Sequence, residues 1–221
     1  MTGESRHDHA PLSAVVLISG GGTNLQAFID AVAAHDLPLE LRAVISNRPD
    51  AHGLQRAANA GIPDRSLDHR QFSTRSLFDS ALADLIDEFT PDLIILAGFM
   101  RILSTAFVER YEGKILNIHP SLLPKYPGLD THQRALDAGD DEHGVTVHFV
   151  TAELDGGPRI LQGRVPIRDG DDANTLATRV LAVEHRIYPE AVSLIAEGRL
   201  TWHEHRAWID NEPLQEPLRF E

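Results

Sequence analysis

Three polar residues in the second half of the chain have the types needed to stabilise a carbonyl oxygen and move a proton. Asn117 and His119 alternate within LNIHPS, so an extended chain places both side chains on one face. An asparagine amide can donate a hydrogen bond to a carbonyl oxygen, and a histidine can carry a proton near neutral pH. Asp155 precedes two glycines, which let its carboxylate approach a neighbouring group. A purely structural role is also open, because such residues often bond to nearby backbone or form turns.

A glycine-rich segment, SGGGTN at residues 19–24, provides a second candidate site. It lies between an apolar run, residues 14–18, and a helical pattern that begins at Leu25. Glycines permit close approach of the backbone, and the N–H groups of a helix N-terminus attract anions such as phosphate. Leu25 stands where a dinucleotide fingerprint has its third glycine, and the lysine of a P-loop is missing. A tight turn without a ligand therefore remains open.

The elements that must position these residues alternate between strand and helix. The pattern predicts a doubly wound α/β fold whose sheet is mainly parallel, with ligands at the carboxyl ends of the strands. A half-exposed strand at residues 144–150 and another at 159–165 predict an antiparallel C-terminal extension. The predicted strands are residues 14–18, 39–46, 65–67, 92–97, 114–118 and 200–203, and the predicted helices are residues 25–34, 53–60, 73–89 (capped by Ser73, with Leu77 in the apolar stripe), 104–111 and 173–196.

Composition excludes several classes of function. The net charge of −13 argues against nucleic acid and anionic membranes as partners. The absence of cysteine excludes disulfides, thiol catalysis and cysteine-ligated metals. No apolar run reaches the roughly 20 residues that span a bilayer, so we expect a cytoplasmic protein. We expect residues 1–13, with His7 and His9, to form a mobile, solvated tail, and residues 14–221 to form one domain.

Six segments together resemble the phosphoribosylglycinamide formyltransferase family of folate-dependent enzymes. They are SGGGTNLQ, SNRPDAHGLQRA, LAGFMRIL, LNIHPSLLPKYPG, HGVTVHFV and LDGGPRILQ, and their order and spacing extend the resemblance over residues 14–208. The resemblance implies a Rossmann-like formyltransferase fold. It also implies transfer of the formyl group of 10-formyltetrahydrofolate to the amine of glycinamide ribonucleotide, in de novo purine (IMP) biosynthesis.

The resemblance also implies a role for each matching residue. Asn117 and His119 would stabilise the oxyanion, Asn117 would also contact the folate, and Asp155 would keep His119 protonated and assist proton transfer. His148 would lie just behind the reacting groups. The ribonucleotide would contact Gly22, Thr23, Asn24 and Glu184; the folate would contact Arg75, Met100, Arg101, Ile102 and Leu103.

Further consequences of the resemblance concern partners and domains. The substrates would be small molecules, no metal would be required, and the protein would be a monomer or a homodimer. Residues 14–118 would form the phosphate-binding half, and residues 119–221 would form the folate-loop and C-terminal half. Asp130 stands where the family often has histidine, which leaves the ligand contacts of residues 130–132, including His132, undefined.

Other functions compete with this prediction. A 10-formyltetrahydrofolate hydrolase shares the Asn–His–Asp group, but that family carries an additional N-terminal domain and has no evident use for a phosphate loop. Methionyl-tRNA formyltransferase would need a further C-terminal domain and a basic surface. A nonenzymatic protein that binds a phosphorylated ligand would need the glycine segment but not Asn117, His119 and Asp155 together.

Overall fold

A central sheet of eight strands organises the chain, which a computed structural model describes for residues 11–221. Buried β-branched and leucine side chains dominate its inner strands, as expected for a sheet covered on both faces. The strands of this sheet are β1 (Leu12–Ile18), β2 (Leu39–Ser46), β3 (Asp64–Ser66), β4 (Leu93–Leu96), β5 (Ile115–His119), β6 (Glu142–Phe149), β7 (Arg159–Pro166) and β11 (Leu218–Phe220).

Six α-helices connect or cover these strands, and a short 3₁₀ helix, His69–Gln71, precedes the third of them. Helix α6 continues through Pro189 over 24 residues and begins with a capping box between Asp172 and Thr175. The helices are α1 (Thr23–Ala33), α2 (His52–Asn59), α3 (Arg75–Asp87), α4 (Thr105–Arg110), α5 (Thr131–Ala138) and α6 (Ala173–Ala196).

The strand order is β11-β7-β6-β5-β4-β1-β2-β3. Strands β1 to β5 pair in parallel, whereas β6 is antiparallel to both β5 and β7. The predicted doubly wound sheet with an antiparallel extension is therefore confirmed. Strand β11 was not predicted, and it pairs in parallel with β7.

The core lies on both faces of the sheet. Helices α1 and α6 contribute to one apolar cluster, and α3 and α4 contribute to the other. Tyr188 of α6 is fully buried, and its hydroxyl lies 3.0 Å from the carbonyl oxygens of both Leu96 and Leu116. This contact fixes α6 over the end of β4 and the neighbouring start of β5.

Three local predictions differ from the structure. Strand β6 is buried from His143 to Phe149 instead of half-exposed, because β5 and β7 flank it and α6 packs on it. Thr74, and not Ser73, caps α3 by accepting a hydrogen bond from the Leu77 N–H, and the Leu77 side chain is exposed. Strand β1 begins at Leu12, two residues before the predicted boundary, and most of the predicted tail, including His7 and His9, lies outside the described residues.

A small antiparallel sheet follows α6. The predicted strand at residues 200–203 is confirmed as β8 (Leu200–His203), which pairs with β9 (Arg206–Ile209), and β9 pairs with β10 (Glu212–Pro213). Trp202 of β8 packs edge-on against Phe149, with ring centroids 5.0 Å apart. This sheet therefore rests on the end of β6.

Candidate active site

His119 and Asp155 meet at the carboxyl end of β5. His119 is the last residue of β5, and its Nδ1 lies 3.5 Å from Oδ2 of Asp155. Both side chains are 8% exposed. The fold thus brings these two residues together although 36 positions separate them in the sequence.

The loop that carries Asp155 adopts an uncommon backbone conformation. Asp155 has φ 51°, in the left-handed region that aspartate tolerates better than most residues. Gly157 passes so close to β6 that an added Cβ would lie 1.9 Å from the carbonyl oxygen of Phe149. Oδ2 of Asp155 also accepts a hydrogen bond from the Gly128 N–H at 2.8 Å. The carboxylate is therefore fixed from two sides.

His148 sets the orientation of the Asn117 amide. Its Nδ1 lies 2.9 Å from the carbonyl oxygen of Phe149 and must donate to it, because a carbonyl oxygen only accepts. Burial lowers the pKa of His148, so the ring is neutral and Nε2 is an acceptor. The Asn117 amide nitrogen lies 3.2 Å from this Nε2 and donates one hydrogen, which leaves its other hydrogen for a ligand.

The same neutral His148 also borders Asp155. Its Nε2 lies 3.9 Å from Oδ1 of Asp155. Because both atoms are acceptors, they form no direct hydrogen bond, and the gap suits a bridging water. Short distances thus link Asn117, His148, Asp155 and His119 into one group.

The glycine segment leads into α1, and its last glycine adopts a conformation that requires glycine. Gly22 has φ 70°, and an added Cβ would lie 2.7 Å from Cα of Gly53 in α2. No side chain caps α1, and its first turn has no acidic residue. The N–H groups of Thr23 and Asn24 are therefore available to an anion.

Arg56 braces this segment, a role that the sequence did not indicate. Its Nε donates to the carbonyl oxygen of Gly21 at 2.8 Å, and one Nη donates to the side chain of Gln26 at 3.0 Å. In the sequence, the only indication of this role is that Arg56 follows Gly53 by one helical turn.

Asn24 and Glu184 come together across 160 residues. The Asn24 amide donates to Glu184 at 2.8 Å, and both side chains are buried. Burial raises the pKa of Glu184, and the hydrogen bond from Asn24 partly opposes this shift. Oδ1 of Asn24 is buried without a partner in the described part of the chain. Such an orphan acceptor is suited to a hydroxyl donor from a ligand.

The predicted folate segment is an exposed loop between β4 and α4. Met100 and Ile102 are 74% and 55% exposed, which is unusual for such large apolar side chains. The backbone N–H of Met100 donates to Ser19 at 2.8 Å, and the Arg101 guanidinium lies 4.7 Å from the ring centre of Phe78. These contacts hold the loop while its apolar side chains face outward, and Leu103, the last predicted residue of this segment, packs partly buried against the α3–α4 core.

Several further residues border this region. Arg75 is the exposed first residue of α3. Leu129 and Leu154 are 76% and 54% exposed on the loops that carry Gly128 and Asp155. No pattern in the sequence pointed to Leu129, whereas Leu154 precedes Asp155 directly. Asp130 directly precedes α5 and has φ 57°. Burial lowers the pKa of His132, in the first turn of this helix.

A buried histidine next to this region makes the fold sensitive to acid. Burial and the nearby His132 lower the pKa of His143 to about 4, against roughly 6.5 in an unfolded chain. Between these values the unfolded chain binds a proton that the folded chain does not. The free energy of unfolding therefore falls as the pH falls through this window.

We accordingly expect His143→Gln to flatten the dependence of stability on pH between about 6.5 and 4. Urea unfolding of both proteins at several pH values measures the slopes. His203→Gln, which changes a histidine side chain that is 65% exposed, is the matched control. Equal slopes for wild type and His143→Gln would contradict the prediction.

The described residues contain neither a metal-binding group nor a membrane-spanning helix. Within residues 11–221, no three or more histidine, aspartate or glutamate side chains are grouped to hold a metal ion. In the same range, none of the helices has the length and apolar character that a membrane crossing requires.

Comparison with known proteins gives a consistent result. A family model described as formyl transferase matches residues 12–192. Phosphoribosylglycinamide formyltransferase of Escherichia coli K12 is 54% identical over 203 residues, which cover 92% of this chain and 96% of that protein. The solved phosphoribosylglycinamide formyltransferase of Coxiella burnetii, in complex with CHES, is 54% identical with a TM-score of 0.90, and the match covers 96% of this chain and 100% of that chain.

A match to part of a longer protein adds to this. The trifunctional purine biosynthetic protein adenosine-3 of Gallus gallus is 50% identical over 183 residues, which cover 83% of this chain and 18% of that protein.

Proposed function

The chain belongs to the formyl transferase family, and from this premise we propose that it transfers the formyl group of 10-formyltetrahydrofolate to the amine of glycinamide ribonucleotide. The products are formylglycinamide ribonucleotide and tetrahydrofolate, in de novo purine biosynthesis. One observation carries the proposal: the edge of the sheet that holds His119 beside Asp155 also holds the uncapped N-terminus of α1.

The ribonucleotide binds on the β1 side of this edge. Its phosphate accepts hydrogen bonds from the backbone N–H groups of Gly22, Thr23 and Asn24, where the dipole of α1 favours negative charge. Glu184 and the orphan Oδ1 of Asn24 accept hydrogen bonds from the ribose hydroxyls. Since phosphate recognition is local, the net charge of −13 does not oppose it.

The folate binds on the β4 side. Residues 100–103 supply an exposed apolar surface for the pterin, and Arg75 is placed to attract the carboxylate tail. The formyl group then lies between the two sites, over the end of β5.

Catalysis stabilises the charge that develops as the amine attacks. The amine nitrogen bonds to the formyl carbon, and the carbonyl electron pair moves to the oxygen. The free hydrogen of the Asn117 amide and the Nδ1–H of protonated His119 donate to this oxygen, as in an oxyanion hole. Collapse of the intermediate breaks the bond between the formyl carbon and the folate nitrogen.

Asp155 serves the proton balance of the reaction. Its carboxylate faces Nδ1 of His119 and offsets the positive charge that the ring carries while it stabilises the oxyanion. The attacking amine must lose a proton and the departing folate nitrogen must gain one. Asp155 moves this proton through a water in the gap between it and His148.

The remaining parts of the proposal concern the protein as a whole. Residues 14–118 contribute the phosphate-binding half, and residues 119–221 contribute the Asp155 loop and the C-terminal half. We propose a cytoplasmic monomer or homodimer that acts on small molecules, with neither nucleic acid nor membrane as a partner.

A spectroscopic assay of 10-formyltetrahydrofolate separates this function from hydrolysis. We expect loss of the formyl group only when glycinamide ribonucleotide is present, with one tetrahydrofolate formed for each formylated ribonucleotide. Equally fast loss without the ribonucleotide would identify a hydrolase instead. Binding of the ribonucleotide without any turnover would identify a nonenzymatic binding protein.

A further inference from the structure

The backbone carbonyl of Tyr126 contacts the nitrogen of His119 that faces away from Asp155. Nε2 of His119 lies 2.8 Å from this oxygen. Because a carbonyl oxygen only accepts, Nε2 must carry a hydrogen in every protonation state that keeps the contact. Nδ1, which faces Asp155, is then the nitrogen that gains or loses the proton.

Tyr126 holds its carbonyl in place at a conformational cost. Its φ is 55°, a left-handed conformation that is uncommon for a bulky residue and is strained. Strain of this kind persists only where surrounding contacts over-determine the backbone. The contacts around Tyr126 are therefore the place to look for what orients His119.

Asp140 provides the main contact. The Tyr126 hydroxyl donates to Oδ2 of Asp140 at 2.8 Å, and the Lys125 ammonium contacts both oxygens of Asp140 at 2.9 and 3.0 Å. Asp140 follows the C-terminal Gly139 of α5, so it is attached to a helix instead of to the loop. The Arg134 guanidinium lies 5.3 Å from the centre of the Tyr126 ring and donates to the carbonyl oxygen of Pro127 at 2.6 Å.

We propose that Tyr126 and Asp140 are positioning residues for the reaction: the bond between them holds the Tyr126 carbonyl on Nε2 of His119 and thereby turns Nδ1 towards the substrate. This inference rests on the proposed function. Neither side chain touches the reacting atoms. Their role resembles that of the residue that orients the histidine of a catalytic triad. Here the group that contacts the histidine is a main-chain oxygen, and Tyr126 and Asp140 hold that oxygen in place.

The first test observes the histidine directly. In protein labelled with ¹⁵N-histidine, at a pH where His119 is neutral, we expect the Nε2–H tautomer in the wild type. Tyr126→Phe and Asp140→Leu are expected to give a mixture of tautomers, and His119→Asn assigns the signals. An Nδ1–H tautomer in the wild type, or a pure Nε2–H tautomer in both variants, would overturn the proposal. This readout needs no turnover, so it is independent of whether the proposed function is correct.

The second test uses kinetics of the complete enzyme. We expect Tyr126→Phe and Asp140→Leu each to lower kcat by a factor of about 10, while both KM values change by less than about twofold, because misorientation affects the transition state more than binding. Asp140→Asn keeps an acceptor for the tyrosine hydroxyl and should recover most of the lost kcat. Combining Tyr126→Phe with Asp140→Leu should add little further loss, because both remove the same bond.

The matched control is Lys125→Gln, which removes the exposed ionic contact to Asp140 and leaves the bond from Tyr126. It should retain the wild-type kcat and tautomer. A loss of kcat in Lys125→Gln as large as that in Asp140→Leu, or additive losses in the double variant, would overturn the proposal in favour of general loosening of the loop.

Discussion

His119→Asn is expected to lower kcat by a factor of about 10³ or more, because an amide can donate a hydrogen bond but cannot supply the positive charge that the oxyanion needs. The KM for glycinamide ribonucleotide should stay close to the wild-type value. The phosphate and ribose contacts proposed above lie at the glycine segment and Glu184, and none of them involves His119. Steady-state absorbance assays with each substrate varied in turn give both constants.

Asp155→Asn is the companion variant and should lower kcat by a factor of about 10² to 10⁴. Asparagine tolerates the left-handed backbone at this position, and its oxygen can still accept the hydrogen bond from Gly128. The loop should therefore keep its conformation while the negative charge opposite Nδ1 of His119 is lost. His203→Asn, at an exposed histidine far along the chain, is the control for histidine replacement. Near wild-type turnover in both His119→Asn and Asp155→Asn would refute the mechanism.

Regular apolar patterns are what made much of the fold predictable. Strand β2, helix α6 and strand β8 have the bounds that the sequence predicted. Strand β2 and helix α6 bury apolar residues along most of their length, whereas in the four-residue strand β8 only Leu200 is buried. The placement of Asn117 and His119 on one face of β5 follows from the alternation of side chains along a strand.

Long-range polar contacts could not be predicted in this way. Asp79 of α3 is 2% exposed and accepts a hydrogen bond from the Ser104 N–H at 2.6 Å, a contact between residues 25 positions apart. Helix α5 was not predicted, because its eight residues contain only three apolar side chains, Ala135, Leu136 and Ala138. The partner of His119 Nε2 is a main-chain oxygen, and no residue type signals that contact. Contacts of this kind depend on the tertiary fold, which brings segments distant in sequence next to one another.

Glu184, the residue that we propose contacts the ribose, also affects the stability of the fold. Burial raises its pKa, so the folded chain binds a proton at this carboxyl more tightly than the unfolded chain does. The ionised carboxylate therefore destabilises the fold at pH values above its folded pKa, and this cost disappears as the pH falls through that value. The ionised group is nevertheless the better acceptor for ribose hydroxyls.

Glu184→Gln should consequently change stability and binding in opposite directions. The glutamine oxygen can still accept the hydrogen bond from Asn24, so the fold loses a buried charge without losing that contact. We expect a higher Tm at pH 7 and a KM for glycinamide ribonucleotide raised by a factor of about 10 to 100, since a hydrogen bond to a charged group contributes about 1.5–3 kcal/mol. Calorimetry and steady-state kinetics on the same preparation measure the two effects.

The matched control lies on the same helix. Glu190→Gln removes the same charge from an exposed position of α6, so it should change neither the Tm nor the KM appreciably. A Glu184→Gln protein that melts at a lower temperature than wild type would show that the carboxylate stabilises the unliganded fold. An unchanged KM would show that the ribonucleotide does not contact Glu184. Only the combination of a raised Tm and a raised KM fits a carboxylate whose burial destabilises the fold and whose charge strengthens ribonucleotide binding.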